Sequence, residues 1–357
     1  MEGIVFKFPT NVEVDGLTQE NSRNPGAFVG LRITPFVERV AQRVQWDELD
    51  IAVGMTPAHK LGTDPSIKSR PGSKRREYRP IPHKEEELVN EQELLEALQL
   101  GTLGGVVSID QLVMEAWKRG QDDDKVRAEW EIWQAYLGHL AFDENGVVVD
   151  EEFPVQEYTP EVPWDELAMA TPLADMLAES QMFAGKGASA KGAVKYMNQF
   201  TLNCVLNNRN ANDIKGFNEG ILPLTYDLEA VNKILSKRGL PIIEVYDEGY
   251  HKTKVDYERF IPDLKTVTIG KRPPGEVVVD YLLAPSLHRL KDGKPAPGFF
   301  SFIEVNGQQN ITGQATVSLA QLGAGKNPKI EVVHGFYGGP RMKYPRSVIK
   351  GNFDQAA

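Results

Sequence analysis

Residues 72–87 read GSKRREYRPIPHKEEE, a strongly basic run that turns acidic within a few positions. The run lies inside a longer polar segment, residues 55–93, which is interrupted by Gly and Pro. The basic residues of that segment are Lys60, Lys68, Arg70, Lys74, Arg75, Arg76, Arg79 and Lys84. The whole chain is acidic, with a formal net charge of -10. A basic segment punctuated by turn residues is poorly suited to a core and well placed to reach a partner.

The flanks of this segment predict a long hairpin. Apolar residues alternate with polar ones over residues 51–55 and return at Tyr78 and Ile81, and turn residues lie between them. An isolated hairpin is only marginally stable in water, so this one is expected to lie on another surface. Residues 1–50 contain too little apolar material for a core of their own and predict an arm, with a short helical piece over residues 36–42.

A long amphipathic helix is predicted after the hairpin. Apolar residues recur at helical spacing over residues 109–117 and again over 126–140, and a shorter helix is predicted over 87–100. Residues 120–124 (GQDDD) separate the two runs and predict a break or a kink. The three aspartates there would begin the second run, where the helix dipole favours negative charge.

The end of this helical pattern is marked by a turn dipeptide. Asn145-Gly146 favours a tight turn, and residues 147–149 read as a strand of the hairpin that follows. The tryptophans of the helix, Trp117, Trp130 and Trp133, are expected to anchor it against other elements rather than to form a ligand cage.

Composition restricts the class of protein. With 357 residues, 41% hydrophobic and 25% charged, the chain is typical of a soluble globular protein of two domains, or of one domain with extensions. The single cysteine, Cys204, excludes a disulfide framework within the chain and is expected to be a small buried residue. We expect no membrane partner, since no apolar run approaches the roughly 20 residues that span a bilayer.

The second half of the chain predicts a mixture of helices and strands. Residues 154–163 are rich in Pro and Glu and predict a domain boundary. Helices are predicted over residues 165–182, 194–206 and 228–235, and strands over 242–246, 265–269, 276–283, 299–305 and 329–333. The fold class is therefore α+β, with the tight connection at residues 271–275 joining two of the strands.

No residue pattern points to catalysis, a cofactor or a metal. Residues 185–190 (GKGASA) loosely fit a dinucleotide-binding loop, but a helix is predicted before them where that loop needs a strand, so a flexible connector is favoured. The histidines are scattered without helical pairs, which argues against a metal site; they are His59, His83, His139, His251, His288 and His334.

The clustered charges favour contacts between copies of the chain. Opposite charges separated along one chain can pair between neighbouring copies when extended segments overlap. Nucleic-acid contact is the weaker alternative, because only one short segment of an acidic chain is basic. The candidate inter-subunit residues are Lys74, Arg75, Arg76, Tyr78, Arg79, Glu85, Glu86, Asp122, Asp123 and Asp124.

Several stretches together carry a family resemblance. They are residues 72–80 (GSKRREYRP), 164–173 (WDELAMATPL), 201–203 (TLN) followed by Asn207-Asn208, 260–263 (FIPD), and 333–335 (VHG) continuing through Pro340 to Pro345. In this order and spacing the chain resembles the major capsid proteins of tailed bacteriophages, specifically the lambda-like E family, over nearly its whole length.

The resemblance implies the Hong Kong 97-like capsid fold. It assigns residues 1–50 to the N-terminal arm and 51–86 to the E-loop hairpin. It assigns residues 87–160 with 328–352 to the peripheral domain that carries a long spine helix, and 161–327 to the axial domain. The 120–124 interruption departs from an unbroken spine helix.

The implied function is structural. A major capsid protein self-assembles through homo-hexamers and homo-pentamers into the icosahedral head shell that encloses the double-stranded DNA genome, without sequence-specific binding. The implied partners include scaffolding, portal and cement or decoration proteins, and the implied location is the virion, assembled in the host bacterial cytoplasm. Two alternatives stay open from the sequence: a soluble α/β enzyme with an accessory hairpin, and an encapsulin-type nanocompartment shell protein.

Overall fold

The computed structural model describes residues 5–7, 11–22, 24–38, 44–49, 58, 73–89, 109–208, 228–252, 255–289, 295–305, 308–309, 316–318 and 330–354. The predicted α+β class is confirmed. The helices are α1 Asn11–Ser22, α2 Val29–Ile33, α3 Ile109–Tyr136, α4 Pro172–Gln181, α5 Gln199–Leu206 and α6 Leu228–Lys237, with a 3-10 turn at Pro345–Ser347.

The strands are short, apart from three of nine residues or more. They are β1 Val5–Lys7, β2 Phe36–Glu38, β3 Val44–Leu49, β4 Ser73–Tyr78, β5 Ile81–Val89, β6 His139–Glu144, β7 Val147–Glu152, β8 Gln156–Tyr158, β9 Ser189–Met197, β10 Ile242–Val245, β11 Gly249–His251, β12 Tyr257–Arg259, β13 Lys265–Lys271, β14 Val279–Leu283, β15 Pro285–Arg289, β16 Pro295–Pro297, β17 Phe300–Val305, β18 Gln308–Gln309, β19 Thr316–Ser318, β20 Ile330–Met342 and β21 Val348–Asn352.

The chain divides into two compact units, each made of segments that are distant in sequence. The first unit contains Met1–Val44, Tyr78–Glu129 and Tyr281–Gly339, and the second contains Gln45–Glu77, Trp130–Asp280 and Pro340–Ala357. The domain boundaries predicted from the sequence, with one junction near residue 160, stay a prediction.

In the first unit, α3 packs on a six-stranded sheet. The strand order is β18-β17-β20-β14-β2, and β5 also pairs with β20. The buried cluster that joins helix and sheet consists of Val14, Val89, Val113, Ala116, Trp117, Ile330 and Val332. The Trp117 indole donates to Thr18 Oγ1 at 2.9 Å, so its polar edge is satisfied inside the core. The predicted anchoring role of Trp117 is confirmed.

Helix α3 runs without a break through the aspartate triplet. It spans 28 residues, and Gly120 through Asp124 lie inside it. Of the two alternatives predicted here the break is wrong, because Asp122 and Asp123 face solvent and the helix continues through them, whereas a kink stays a prediction. The helix ends at Tyr136, earlier than predicted, where Gly138 at φ +91° turns the chain and Leu140 enters β6.

Two helices predicted for the first unit are wrong in the parts that the structure describes. Residues 36–38 form β2, which pairs in parallel with β14 through Phe36 and Tyr281. The Phe36 ring packs edge-on against Tyr281 at 5.6 Å, so sheet pairing decides this segment. Residues 87–89 belong to β5, whose pairing with β20 overrides their helical pattern. Residues 39–42 and 90–100 lie outside the described residues.

The hairpin predicted around Asn145-Gly146 is confirmed. Strands β6 and β7 pair in register from His139 with Glu152 to Glu144 with Val147. Asn145 and Gly146 have φ of 49° and 82°, which is the left-handed conformation that a two-residue turn between twisted strands needs.

The second unit contains a five-stranded sheet in the order β10-β9-β13-β21-β8. Helices α4, α5 and α6 contribute to the core beside it, in which Trp164 stacks on Phe353 with ring centroids 3.6 Å apart. Cys204 is buried in the same cluster, as expected. Trp133 is fully buried in this unit and contacts Tyr196 and Tyr246, which confirms its predicted anchoring role.

Two predicted helices of this unit start later than expected. Residues 194–197 were expected in a helix and lie in β9, and the helix α5 begins only after Asn198, whose side chain accepts from the Thr201 backbone N–H at 2.8 Å. The helix predicted from residue 165 begins at Pro172, since proline suits the first turn of a helix. Turns at residues 182–187 connect α4 to β9, and Ser189 and Ala190, which were expected in a flexible connector, begin β9.

The remaining elements of the second unit follow the sequence pattern closely. Helix α6 is followed by Gly239 at φ +71°, the predicted stop, and then by β10. Strand β13 is also confirmed, and β14 occupies the second half of the strand predicted over 276–283.

A buried lysine is the centre of a polar network in the second unit. Lys195, on β9, is 1% exposed and forms an ion pair with Glu179 of α4. Thr268 donates to the same carboxylate, and the lysine ammonium lies 4.8 Å from the Phe353 ring centroid. One turn earlier on α4, Asp175 accepts from Trp164 Nε1 at 2.8 Å and from Tyr158 at 2.8 Å. Each buried charge therefore has a partner, as its desolvation requires.

Candidate functional site

The basic residues of the candidate site lie on and just after β4. Arg75 is exposed, and its Nε lies 3.3 Å from Oδ1 of Asp47, an exposed pair of the kind that contributes little stability. Arg79 is also exposed. Lys74 and Tyr78 belong to β4, but their side chains lie outside the described part of the structure. Arg75 and Arg79 are therefore available for contact with another molecule.

Arg76 makes a contact within its own subunit. Its Nη1 donates to the backbone carbonyl of Glu152 at 2.9 Å, at the end of the β6–β7 hairpin. Burial raises the pKa of the neighbouring Glu151, and the positive charge of Arg76 acts against that rise. The Arg76 side chain therefore links β4 to the hairpin, whereas the Arg75 side chain is exposed.

The acidic residues of the candidate site project from β5. This strand pairs with β20 so that Glu85 lies opposite His334, and Glu86 opposite Val333. Glu85 and Glu86 are exposed, whereas Glu87 forms an ion pair with Arg119 of α3. The strand therefore keeps its apolar ends, Ile81 and Val89, in the core and presents carboxylates between them.

The aspartate triplet divides between the surface and the interior. Asp122 and Asp123 are exposed at the surface. The protein atoms around the Asp123 carboxyl still remove part of its hydration, and this, followed by the charge of Glu85, raises its pKa. Asp124 is 5% exposed and lies 3.1 Å from Nδ1 of His334, measured to Oδ1. Asp124 therefore has a partner inside its own unit, which the sequence did not predict.

The structure brings Glu85, Asp122 and Asp123 into one acidic patch with Glu87 and the Asp124–His334 pair in the first unit. His334 is the residue that sequence reasoning missed. It stands 210 positions from Asp124 in the chain, so no short-range spacing could reveal the pair. Only the packing of α3 on β20 places them together.

Neither metal sites nor membrane-spanning helices occur in the described residues. The ranges that the structure describes contain no group of three or more His, Cys, Asp or Glu side chains arranged to hold a metal ion. Within the same ranges, none of the helices combines the length and the apolar character needed to cross a bilayer.

Comparison with protein families decides the identity of the chain. The model of the family described as phage major capsid protein E matches residues 19–290, which is about three quarters of the sequence. The chain belongs to this family of phage capsid proteins. It is accordingly a major capsid protein, a component of the virion that self-assembles into a shell. No curated protein sequence matches the chain significantly.

Solved structures show that the capsid protein has the Hong Kong 97-like fold. It is similar to a putative capsid protein of a prophage from E. coli CFT073, with a TM-score of 0.54, 13% identity, and coverage of 95% of this chain and 98% of that one. It is also similar to a phage-related protein from Bordetella bronchiseptica RB50, with a TM-score of 0.50, 10% identity, and coverage of 97% and 98%.

The capsid family also bears on the alternatives that the sequence left open. An encapsulin complex from Synechococcus elongatus PCC 7942 has a TM-score of 0.43 and 13% identity, and the match covers 90% of this chain and 86% of that one. The family match, which is to phage capsid proteins, favours the phage shell over the nanocompartment. It also favours a structural protein over a soluble enzyme.

Proposed function

We propose that this capsid protein builds the icosahedral head shell of a tailed phage through homo-hexamers and homo-pentamers, and that the shell encloses double-stranded DNA. The observation that carries the proposal is the family match over residues 19–290. A closed shell repeats the same contacts under rotational symmetry, so many modest interfaces can act together. The protein has no catalytic role in this proposal.

The domain assignment belongs to the same proposal. Residues 1–50 would act as an arm and 51–86 as an E-loop that reach adjacent subunits. Residues 87–160 with 328–352 would form the peripheral domain, and 161–327 the axial domain. The pairing of β3 with β4 supports this in part, because it joins the two strands that come before and after residues 50–72 in the chain.

The charged residues would pair across the interface between neighbouring subunits. The exposed Arg75 and Arg79, with Lys74 and Tyr78 beside them, would face the exposed acidic groups Glu85, Glu86, Asp122 and Asp123 of another copy. The support is their exposure and opposite charge. Arg76 and Asp124 would act indirectly, because each already contacts a residue of its own unit.

The remaining partners follow from the life cycle of such a shell. Scaffolding, portal and cement or decoration proteins would bind the assembled lattice, and assembly would take place in the host bacterial cytoplasm. The net charge of -10 supports an inner wall that encloses DNA without binding a sequence, since phosphate binding needs clustered Lys and Arg.

Charge reversal tests the proposed contacts. We expect the variant R75E/R79E to fold but to form few closed shells, because it sets carboxylates against the acidic patch. The matched control is K237E, which reverses an exposed lysine at the end of α6. Far-ultraviolet circular dichroism checks folding, and negative-stain electron microscopy counts the shells.

A compensating variant makes this test specific. When E85K/E86K is added to R75E/R79E in one chain, the two reversed surfaces should attract again and shells should return. Normal shells from R75E/R79E alone, or no recovery in a well-folded four-residue variant, would refute the assignment of these residues to the interface.

A further inference from the structure

The middle of α3 is attached to the sheet of the first unit by an unusually close polar junction. A Cβ atom on Gly120 would lie 2.3 Å from Cδ2 of His334, so only glycine lets the imidazole ring lie against the helix. The next residue, Gln121, donates from Nε2 to Ser301 Oγ on β17 at 2.8 Å. At this point α3 contacts the sheet through the His334 ring, which lies against Gly120, and through the hydrogen bond of Gln121, rather than through apolar side chains.

The ion pair of Asp124 and His334 lies at the centre of this junction. Asp124 is one helical turn beyond Gly120 and so lies on the same face of α3. The Asp124 Oδ1 and His334 Nδ1 atoms are 3.1 Å apart, and the residues are 5% and 2% exposed. In the described part of the chain, no donor forms a hydrogen bond with the second carboxylate oxygen of Asp124. A buried carboxylate with one oxygen left unbonded is costly when charged.

The charged groups around the pair are mostly acidic. Asp122 and Asp123 come from α3, and Glu85 and Glu87 come from β5, where Glu85 lies directly opposite His334. His83 of β5 also acts on Asp124, and Arg119 of α3 pairs with Glu87. This surplus of carboxylates favours the binding of a proton at the junction.

We propose that the Asp124–His334 pair is a proton-uptake site that strengthens the attachment of α3 to β20 when the pH falls. The site goes beyond the shell-forming function, because it lies inside one subunit and needs no neighbour. Uptake of one proton by His334 completes the ion pair and compensates the buried charge of the Asp124 carboxylate. This step favours the packed junction over an opened one.

The directions of the pKa shifts agree with a junction that becomes more stable as the pH falls. Burial lowers the pKa of His334, but the close Asp124 carboxylate, together with the charges of Glu85 and Asp123, outweighs burial, and the pKa is raised overall. Burial raises the pKa of Asp124 to about 6, against the opposing influence of His334. The pair therefore binds a proton more tightly in the folded unit than in the unfolded chain, so stability increases as the pH falls through this range.

Hydrogen exchange of the full chain tests the proposal. Peptides from residues 109–129 and 330–339 are followed by mass spectrometry between about pH 7.5 and 5.5, with rates corrected for intrinsic exchange. We expect protection of these peptides to rise about tenfold on acidification, the factor that one pKa unit represents. The D124N variant should lose that rise, whereas D122N, which changes an exposed aspartate of the same triplet, should retain it.

A second measurement needs no variant to fold. Exchange of the Cε1 hydrogen of His334, followed by mass spectrometry across pH in the wild-type chain, reports the pKa of that imidazole. A midpoint above the ordinary histidine value supports the proposal. A midpoint at or below that value, unchanged protection of both peptides on acidification, or an undiminished pH response in folded D124N would overturn it.

Discussion

At the scale of single residues, this capsid protein tolerates buried charge where each charged group has a partner. Lys195 is the clearest case, because its ammonium is fully buried yet contacts Glu179 and the faces of Trp164 and Phe353. Burial lowers the pKa of Lys195, while Glu179 acts to raise it. The balance holds only while both partners are present.

Removing one member of this pair should be strongly destabilising. We expect K195M to lower the free energy of unfolding by about 3–5 kcal/mol, since it leaves the Glu179 carboxylate buried without its countercharge. The double variant K195M/E179L should lose less than K195M alone, because both charges are then absent. Denaturant unfolding of the unassembled chain measures both. A K195M loss under about 1 kcal/mol would contradict the role given to the pair.

Residue-scale chemistry was only partly predictable from the sequence. Exposure of Arg75, Glu85 and Asp122 follows from their position in charged runs, since such runs seldom enter a core. The pairs Lys195–Glu179 and Asp124–His334 could not be predicted, because their members come from separate elements that only tertiary packing brings together. The sequence pattern predicts that all three aspartates of the triplet lie at the surface, but Asp124 is buried.

At the scale of elements, the long helix α3 depends on a glycine that a sequence-based prediction treats as a weak point. Gly120 costs helix propensity, but the ring of His334 occupies the space where its Cβ would be. The element therefore stays continuous for a tertiary reason, although the local pattern predicts an interruption.

Two glycine substitutions separate the effect of helix propensity from the effect of the close contact with His334. We expect G120A to destabilise the first unit by about 1–3 kcal/mol, since the added methyl group collides with the His334 ring. The control, G16A, adds a methyl group within α1 where nothing lies within 4 Å, and should stabilise by about 0.5–1 kcal/mol. Thermal unfolding of the two variants should shift in opposite directions. An unfolding temperature of G120A that shifts in the same direction as that of G16A would contradict the close contact between Gly120 and His334.

The elements that the sequence predicted correctly have strong local signals. Asn145-Gly146 specifies its turn, and Gly239 ends α6 as predicted. The wrong predictions share one cause, which is pairing with distant strands. Residues 36–38, 87–89 and 194–197 carry apolar spacing that fits a helix locally, yet β14, β20 and β13 offer them ladder partners that only the folded chain supplies.

At the scale of the whole molecule, the family could be inferred from motif order, whereas the arrangement of the chain could not. The stretches at residues 72–80, 164–173 and 333–335 led to the phage capsid family, and the match over residues 19–290 confirms it. Each of the two compact units combines segments far apart in sequence, and the sequence pattern does not specify which segments join. The interior of the E-loop segment lies largely outside the described residues, so its role stays a prediction.

The central claim is that this protein completes its structure in a lattice of identical copies. Cryo-electron microscopy of the purified full chain, over a range of protein concentrations, tests it most directly. The claim predicts closed shells of uniform diameter in which residues 51–86 of one subunit contact its neighbours. A discrete monomer at every concentration, with residues 51–86 folded onto their own subunit and no large particles, would contradict it.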